Sequence, residues 1–170
     1  MNSHTRNRYF PKAIATPDGT FLALYSDTGL VSLSFPTGRS EGKSPADAEM
    51  PAQIRQWHRV TVTALECALA GRVPPALPPL EVSSGTDFQQ AVWRELCRIK
   101  IGETRSYDEI ARRIGRPNAV RAVGGACGAN PIPVLIPCHR VLAAHRKIGG
   151  FSGGMDWKRK LLEREGATLR

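Results

Sequence analysis

Four prolines within eight residues interrupt this chain near its middle, in the stretch from Val73 to Leu80. Proline fixes one backbone angle and has no N–H to donate, so a regular helix cannot run through this stretch. The charge balance changes just beyond it: residues 1–86 carry 8 basic and 7 acidic side chains, whereas residues 87–170 carry 16 and 8. We therefore predict an N-terminal sheet and helix domain at residues 1–78, a linker that ends at residues 79–85, and a second domain at residues 86–170.

The first domain has the turn pattern of a small antiparallel sheet. Turn sequences at residues 17–19 and 27–29 separate three apolar runs. The predicted strands span residues 9–16, 20–25 and 30–35. Residues 36–50 are rich in Gly, Ser, Pro and charge, which predicts a loop, and helical spacing of apolar residues follows at 54–69.

Helix-start signals dominate the second domain. Thr86 with Gln89, and Ser106 with Glu109, have the spacing of capping boxes, in which two side chains satisfy free N–H groups at a helix start. The predicted helices span residues 86–102, 106–114 and 119–129, and a last one begins near residue 156.

A three-residue connection joins the second and third of these helices and ends at Asn118, the predicted cap of the third. Helix, short turn and helix is the arrangement of a helix-turn-helix. The third helix is built largely from small residues, and its adjacent Gly124 and Gly125 together cost about 2 kcal/mol in helix propensity. Small residues let a large body approach closely, and both a DNA groove and a neighbouring helix fit that pattern.

Cys138, His139 and Arg140 follow an apolar run at residues 132–136 that predicts a short buried strand. A cysteine at the end of a strand is held firmly, and a neighbouring imidazole or cation can lower a thiol pKa from its usual ~8.5. Glu165 lies on the apolar stripe of the last predicted helix, where it either orients His139 or is a solvated end residue. For Cys138 a second interpretation stays open, a buried inert thiol.

Composition narrows the class of protein. The four cysteines show no CxxC spacing and no apolar signal segment precedes them, so we expect reduced thiols and a cytoplasmic protein, associated with the nucleoid, or nuclear in a eukaryote. No run approaches the ~18 apolar residues of a membrane span. The basic second domain favours nucleic acid as the partner, although a solvated basic surface would have the same composition.

Residues 88–166 resemble the C-terminal domain of the O6-alkylguanine-DNA alkyltransferases, which reverse DNA damage directly. The matching motifs are GETRSY at 102–107, AVRAVG at 119–124, Asn130-Pro131, IPCHRV at 136–141 and Ser152-Gly153-Gly154, with Glu165 beyond them. They cover about half of the chain in the expected order. The resemblance implies a mixed α/β (α+β) fold, with a small N-terminal antiparallel sheet followed by a mainly helical, winged-helix-like domain.

The same resemblance implies a function. The protein would be a methylated-DNA–protein-cysteine methyltransferase that takes the alkyl group from O6-alkylguanine, and from O4-alkylthymine, in duplex DNA. The damaged nucleotide would be flipped out of the helix. Because a thioether product does not hydrolyse readily, each molecule would act once and be consumed. No metal and no cofactor would be needed.

The resemblance also implies roles for single residues. Cys138 would accept the alkyl group, His139 would remove its proton through a water, and Glu165 would hold His139. Asn130 would tie the recognition helix to the active-site strand, and Tyr107 would rotate the nucleotide and donate to the base. The expected DNA contacts are Arg121, Tyr107, Ser106, Ala119, Gly124 and Arg140, with Arg121 filling the vacated place. The expected pocket residues are Phe151, Ser152, Gly153 and Val141.

Some residues depart from the family. Phe151 stands where the family often has Tyr, and the basic loop at 143–147 is expected to touch phosphate. No Cys precedes Cys67, and His4 and His58 stand apart, so we expect no zinc. The expected partner is double-stranded DNA carrying O6-alkylguanine, bound by a monomer that can cluster cooperatively on DNA.

Two other functions remain as alternatives. A non-catalytic module of the same fold would bind alkylguanine and recruit other repair proteins, but such relatives replace the cysteine that is present here as Cys138. A Cys-His hydrolase unconnected with DNA would use Cys138 and His139, but it would have no use for the basic domain and the helix-turn-helix.

Overall fold

The computed structural model describes residues 8–37 and 50–167. Most of the predicted loop at residues 36–50 lies outside the described residues, and so does His4.

A three-stranded antiparallel sheet opens the fold, with strands β1 (Phe10–Thr16), β2 (Gly19–Tyr25) and β3 (Leu30–Ser34) in that order. The β1–β2 hairpin pairs Phe10 with Tyr25 and Thr16 with Gly19. Gly19 has a φ of 116°, a conformation that glycine adopts without steric cost, so the predicted turn is confirmed. Alternate residues Phe21, Ala23 and Tyr25 are fully buried, as expected for a sheet with one face on the core.

Helix α1 (Ala52–Leu69) covers this sheet and confirms the helix predicted at 54–69. The proline stretch follows it as an extended segment, and Leu80 bridges to Leu30 at the start of β3. The backbone N–H of Leu30 donates to the carbonyl of Pro79 at 2.8 Å, and the N–H of Glu81 donates to the carbonyl of Leu30 at 2.8 Å. Proline retains its carbonyl as an acceptor, so the stretch can pair with the sheet although it cannot form a helix.

The second half begins with α2 (Asp87–Leu96), α3 (Tyr107–Arg113) and α4 (Val120–Gly128). Both predicted capping boxes are present, at Thr86 and at Ser106. Two details were wrong. Helix α2 ends at Leu96 and does not continue to Gly102. Asn118 does not cap α4, because the cap position is held by Ala119, which makes no side-chain cap.

The predicted strand at residues 132–136 was also wrong. The segment is buried, but it forms a turn closed by a hydrogen bond from the N–H of Ile136 to the carbonyl of Ile132 at 2.9 Å, with Val134 at a φ of 74°. Pro133 within the segment, and Pro131 and Pro137 beside it, have no N–H to donate, which disfavours a strand ladder there. The nearby pairing is instead a short parallel one between β4 (Arg105–Ser106) and β5 (Val141–Leu142).

The last helix, α5 (Met155–Arg164), packs against both halves of the chain. Its Trp157 ring lies 5.5 Å from the ring of Phe21 in β2, and its Arg164 and Lys160 bind Asp18 in the β1–β2 turn. Buried residues from both halves form one hydrophobic cluster, so the domain boundary at residues 79–85 stays a prediction. Within the described ranges, no helix has both the length and the apolar character needed to cross a membrane.

Candidate active site

Cys138 lies in a single 3-10 turn, Cys138–Arg140, between the buried turn at 132–136 and β5. Only 3% of the surface of this residue is exposed to solvent, and the residue lines a cavity of about 240 Å³. The residues that line this cavity are Tyr107, Gly124, Cys127, Gly128, Cys138, Gly150, Phe151 and Ser152. The cavity therefore lies between α3, α4, the cysteine turn and the glycine-rich loop before α5.

Asn130, directly after α4, holds the cysteine turn in place. Its Nδ2 donates to the carbonyl of Ile136 at 2.8 Å and to the Sγ of Cys138 at 3.1 Å, and its Oδ1 accepts from the N–H of Ile132 at 3.0 Å. The side chain thus supplies the partners that the buried turn lacks. Asn130 therefore links the end of α4 to the cysteine, which follows a turn and not the predicted strand.

The environment of Cys138 does not favour a resting thiolate, contrary to our expectation. Burial raises the pKa of Cys138 above its usual value, and the hydrogen bond from Asn130 opposes this effect only in part. The resting sulfur is therefore a protonated thiol at neutral pH. Reaction at this atom needs a base that takes the proton when a substrate is in place.

His139 and Glu165 form the only buried imidazole–carboxylate pair within the part of the chain that the structure describes. His139 Nε2 lies 2.9 Å from Glu165 Oε1, and both side chains are 1% exposed. Burial lowers the pKa of His139, which keeps the imidazole neutral. Because a carboxylate only accepts, Nε2 carries the proton and Nδ1 keeps its lone pair. This Nδ1 is buried and has no hydrogen-bond partner among the described residues, so it is available as a base.

Arg140, an expected DNA contact, is buried and pairs with Glu165, so its contact with DNA stays a prediction that this burial does not favour. Its guanidinium is buried against Glu165, with Nε 3.0 Å from Oε2 and one terminal nitrogen 2.9 Å from Oε1. The other terminal nitrogen donates to the carbonyl of Ile99. Burial alone would raise the pKa of Glu165, but the hydrogen bonds from His139 and Arg140 outweigh it and hold this pKa below its usual range. Arg140 thus keeps the carboxylate ionised behind His139.

The remaining predicted site residues fall into two groups. Tyr107, Gly124, Phe151 and Ser152 line the cavity, whereas Val141 is fully buried in β5 and Gly153 packs against Phe35 outside the cavity lining. On the helix-turn-helix side, Ser106 caps α3, Ala119 is half-buried at the start of α4, and Arg121 is exposed on α4.

Two buried residues near the cavity escaped the sequence analysis. Lys158 in α5 donates from Nζ to the carbonyl of Val141 at 2.6 Å, and burial lowers its pKa to about 8. Its position was detectable, because Lys158, Leu161 and Glu165 follow helical spacing on one buried stripe. Cys127 in α4 lines the cavity, and burial raises its pKa to about 12. For Cys127 no sequence signal separated it from an ordinary core residue.

All four cysteines are free thiols. Among residues 8–37 and 50–167, no group of three or more His, Cys, Asp and Glu side chains is arranged to hold a metal ion.

Comparison with known proteins identifies the family. Residues 87–167 match the family described as 6-O-methylguanine DNA methyltransferase, DNA binding domain. The chain is 40% identical over 157 residues to a methylated-DNA–protein-cysteine methyltransferase of Methanosarcina barkeri, covering 92% of this chain and 97% of that protein. A relative of the same name in Mycobacterium tuberculosis is 59% identical over 81 residues, 48% of this chain and 49% of that protein.

The fold agrees as well. A crystal structure of Mycobacterium tuberculosis OGT in complex with DNA superposes with a TM-score of 0.75 and 38% identity, covering 92% of this chain and 91% of that one. Similarity at this level over nearly the whole of both chains, together with the buried Cys138 cavity, means that this chain belongs to the methylated-DNA–protein-cysteine methyltransferase family.

Proposed function

We propose that Cys138 is the residue through which this protein repairs DNA. Its Sγ accepts the alkyl group from O6 of a guanine in duplex DNA. The protein binds DNA and repairs it by alkyl transfer to a cysteine, as membership of the family indicates. One observation supports Cys138 in particular: the residue lines a cavity, its Sγ lies 3.1 Å from Asn130 Nδ2, and the next residue, His139, forms the buried pair with Glu165. None of the other three thiols has such neighbours among the described residues.

The transfer begins with removal of the thiol proton. His139 Nδ1 takes the proton of Cys138, directly or through a water, and Nε2–H stays hydrogen-bonded to Glu165. The imidazolium that forms is stabilised by the ionised carboxylate, which Arg140 keeps in place. The Nδ2–H group of Asn130 already donates a hydrogen bond to Sγ, and it stabilises the negative charge on the sulfur as the thiolate forms.

The thiolate then displaces the base at the alkyl carbon. A carbon–sulfur bond forms as the carbon–O6 bond breaks, and its electron pair goes to the guanine oxygen. The developing negative charge needs a donor, and Tyr107 and Ser152, which line the same cavity, both carry groups that can donate. Proton uptake by the ring leaves ordinary guanine and a thioether on Cys138. The thioether is stable, so each molecule reacts once.

Guanine within a duplex cannot reach a buried sulfur, so the nucleotide must rotate out of the stack. This extrusion costs a few kcal/mol, and less for a damaged pair. The exposed Arg121 on α4 is the side chain that occupies the vacated place, and the small residues of α4 allow the backbone of DNA to come close. Ser106 and Ala119 lie at the starts of α3 and α4, where their backbones face the same partner.

The substrate is O6-alkylguanine, with O4-alkylthymine as a second lesion of similar chemistry. The exposed loop around His145, Arg146 and Lys147 contacts phosphate. The protein acts as a monomer that can cluster on DNA, in the cytoplasm at the nucleoid, or in the nucleus of a eukaryote, without metal or cofactor.

Intact-protein mass spectrometry tests the assignment. After incubation with excess duplex carrying O6-methylguanine, the protein gains the mass of one CH2 unit, and peptide mapping finds it on Cys138. Cys138→Ser still binds the duplex but gains no mass. An unchanged wild-type mass with retained binding would favour the non-catalytic lesion binder. Turnover of an ester or peptide by wild-type protein would favour a Cys-His hydrolase.

A further inference from the structure

A cluster of aromatic rings joins the N-terminal sheet to the wall of the Cys138 cavity. Phe35 follows directly after β3, and its ring centroid lies 5.6 Å from that of Phe151, 4.9 Å from that of Trp157 and 5.5 Å from that of Phe21. Such centroid separations are those of favourable edge and tilted aromatic pairs. Phe151, by contrast, lines the cavity itself.

The glycine-rich loop lies so close to Phe35 that one of its residues has no room for a side chain. A Cβ atom placed on Gly153 would lie 2.4 Å from a carbon of the Phe35 ring, well inside van der Waals contact. Gly153 has no positive φ, so its backbone conformation does not require glycine. Close packing against Phe35 is therefore the reason that a larger residue does not fit there.

The contact extends from the loop to the catalytic histidine. The rings of Phe151 and His139 are nearly perpendicular, with an interplanar angle of 84° and centroids 6.5 Å apart. Phe35 thus supports the ring that bounds the cavity on one side and touches the proposed base on the other. Phe35 is half-buried at the end of β3 and links the sheet to this wall of the reaction site.

We propose that Phe35 is a positioning residue which sets the size of the alkyl group that reacts well. This inference rests on the proposed alkyl transfer to Cys138. Phe35 holds Phe151 and the loop at 149–154 against the cavity. The cavity wall therefore keeps the methyl carbon aligned between Sγ of Cys138 and O6 of the guanine. Without the Phe35 ring the wall recedes. A small alkyl group then loses alignment, whereas a benzyl group fills the added space with its own contacts.

The experiment compares two lesions in one duplex sequence, O6-methylguanine and O6-benzylguanine, under single-turnover conditions at a temperature where all variants are folded. Phe35→Ala is expected to slow methyl transfer about tenfold, because small misplacements of reacting atoms have large effects on rate. Benzyl transfer is expected to slow much less, so the ratio of the two rates changes. Phe35→Tyr keeps the ring and is expected to keep the wild-type ratio.

Phe10→Ala is the matched control. Phe10 is a buried phenylalanine of β1 in the same sheet, and it does not take part in the described ring pairs around Phe151. This variant is expected to lower the melting temperature and leave the ratio of methyl to benzyl rates unchanged. An equal loss of both rates in Phe35→Ala, or a change of ratio in Phe10→Ala as large as that in Phe35→Ala, would show that Phe35 is structural only and would overturn the inference.

A double-mutant cycle tests the contact itself. Gly153→Ala is expected to slow methyl transfer in the wild-type background and to have little further effect in the Phe35→Ala background, because the clashing ring is gone. Additive effects of the two substitutions would overturn the inference. Failure of wild-type protein to transfer either group would instead overturn the proposed function on which it rests.

Discussion

Replacing Arg140 with methionine separates a structural role of this residue from a role in DNA binding. The arginine side chain is 10% exposed and Glu165 is 1% exposed, so the substitution leaves a buried carboxylate with only His139 as partner. Methionine retains most of the volume and length of arginine, which limits the effect of an added cavity. The change therefore reports on the ion pair and its hydrogen bonds.

The magnitude follows from the contacts that are lost. Two hydrogen bonds to Glu165 and one to the carbonyl of Ile99 disappear together. Breaking a buried ion pair by removing one partner costs about 3–5 kcal/mol. For a chain of this size that corresponds to a melting temperature lower by roughly 6–20 °C. The affinity of the folded variant for DNA should not change, because the guanidinium is occupied by Glu165 and the Ile99 carbonyl and is almost fully buried.

Thermal unfolding and fluorescence anisotropy with labelled duplex measure the two effects. Arg121→Met is the matched control, since it makes the same substitution at an exposed arginine of α4. It is expected to weaken DNA binding and leave the melting temperature nearly unchanged. The reasoning would be refuted if Arg140→Met kept the wild-type melting temperature but lost DNA affinity.

Three further predictions concern charge and packing. The hydrogen bond from Arg164 holds the pKa of Asp18 at about 2, below the usual 3.8, so Asp18 stabilises the fold above pH 4 and this contribution is lost as the pH falls toward 2. Urea denaturation across that range should show a steeper loss for wild-type than for Asp18→Asn, and parallel curves would contradict it. Lys147→Ala should reduce the slope of log affinity against log salt by about 0.9, as expected for one lost phosphate contact. Arg59→Ala on α1 should leave the slope unchanged, and an unaltered slope in Lys147→Ala would argue against phosphate contact by this loop. Methylated Cys138 should destabilise the fold by ~1–3 kcal/mol, because the added methyl group crowds the buried sulfur and the Asn130 side chain that lies 3.1 Å from it. A melting temperature that is the same before and after reaction would count against this, with Cys138→Ser incubated with the same DNA as the control.

Local chemistry explains which structural predictions were confirmed. The capping boxes at Thr86 and Ser106 and the glycine turn at Gly19 involve residues within a few positions of one another, so their conformations follow from short-range hydrogen bonds and sterics. The three strands and α1 also follow from local apolar spacing. The end of α2 was misjudged because Ile99 is buried after the helix has already stopped, and burial alone does not distinguish a helix from a turn.

By itself, the sequence determined the family, through the motif around Cys138 and the order of the motifs that flank it, and the positions of most helices and strands. Only the tertiary structure decided what the charged and aromatic side chains do. Arg140 was expected on the DNA surface, but it is buried against Glu165, 25 residues away in the chain. Lys158 reaches the carbonyl of Val141, and Phe35 supports a loop more than a hundred residues beyond it. Such partners are set by packing between distant segments, and no local pattern records which of them will meet.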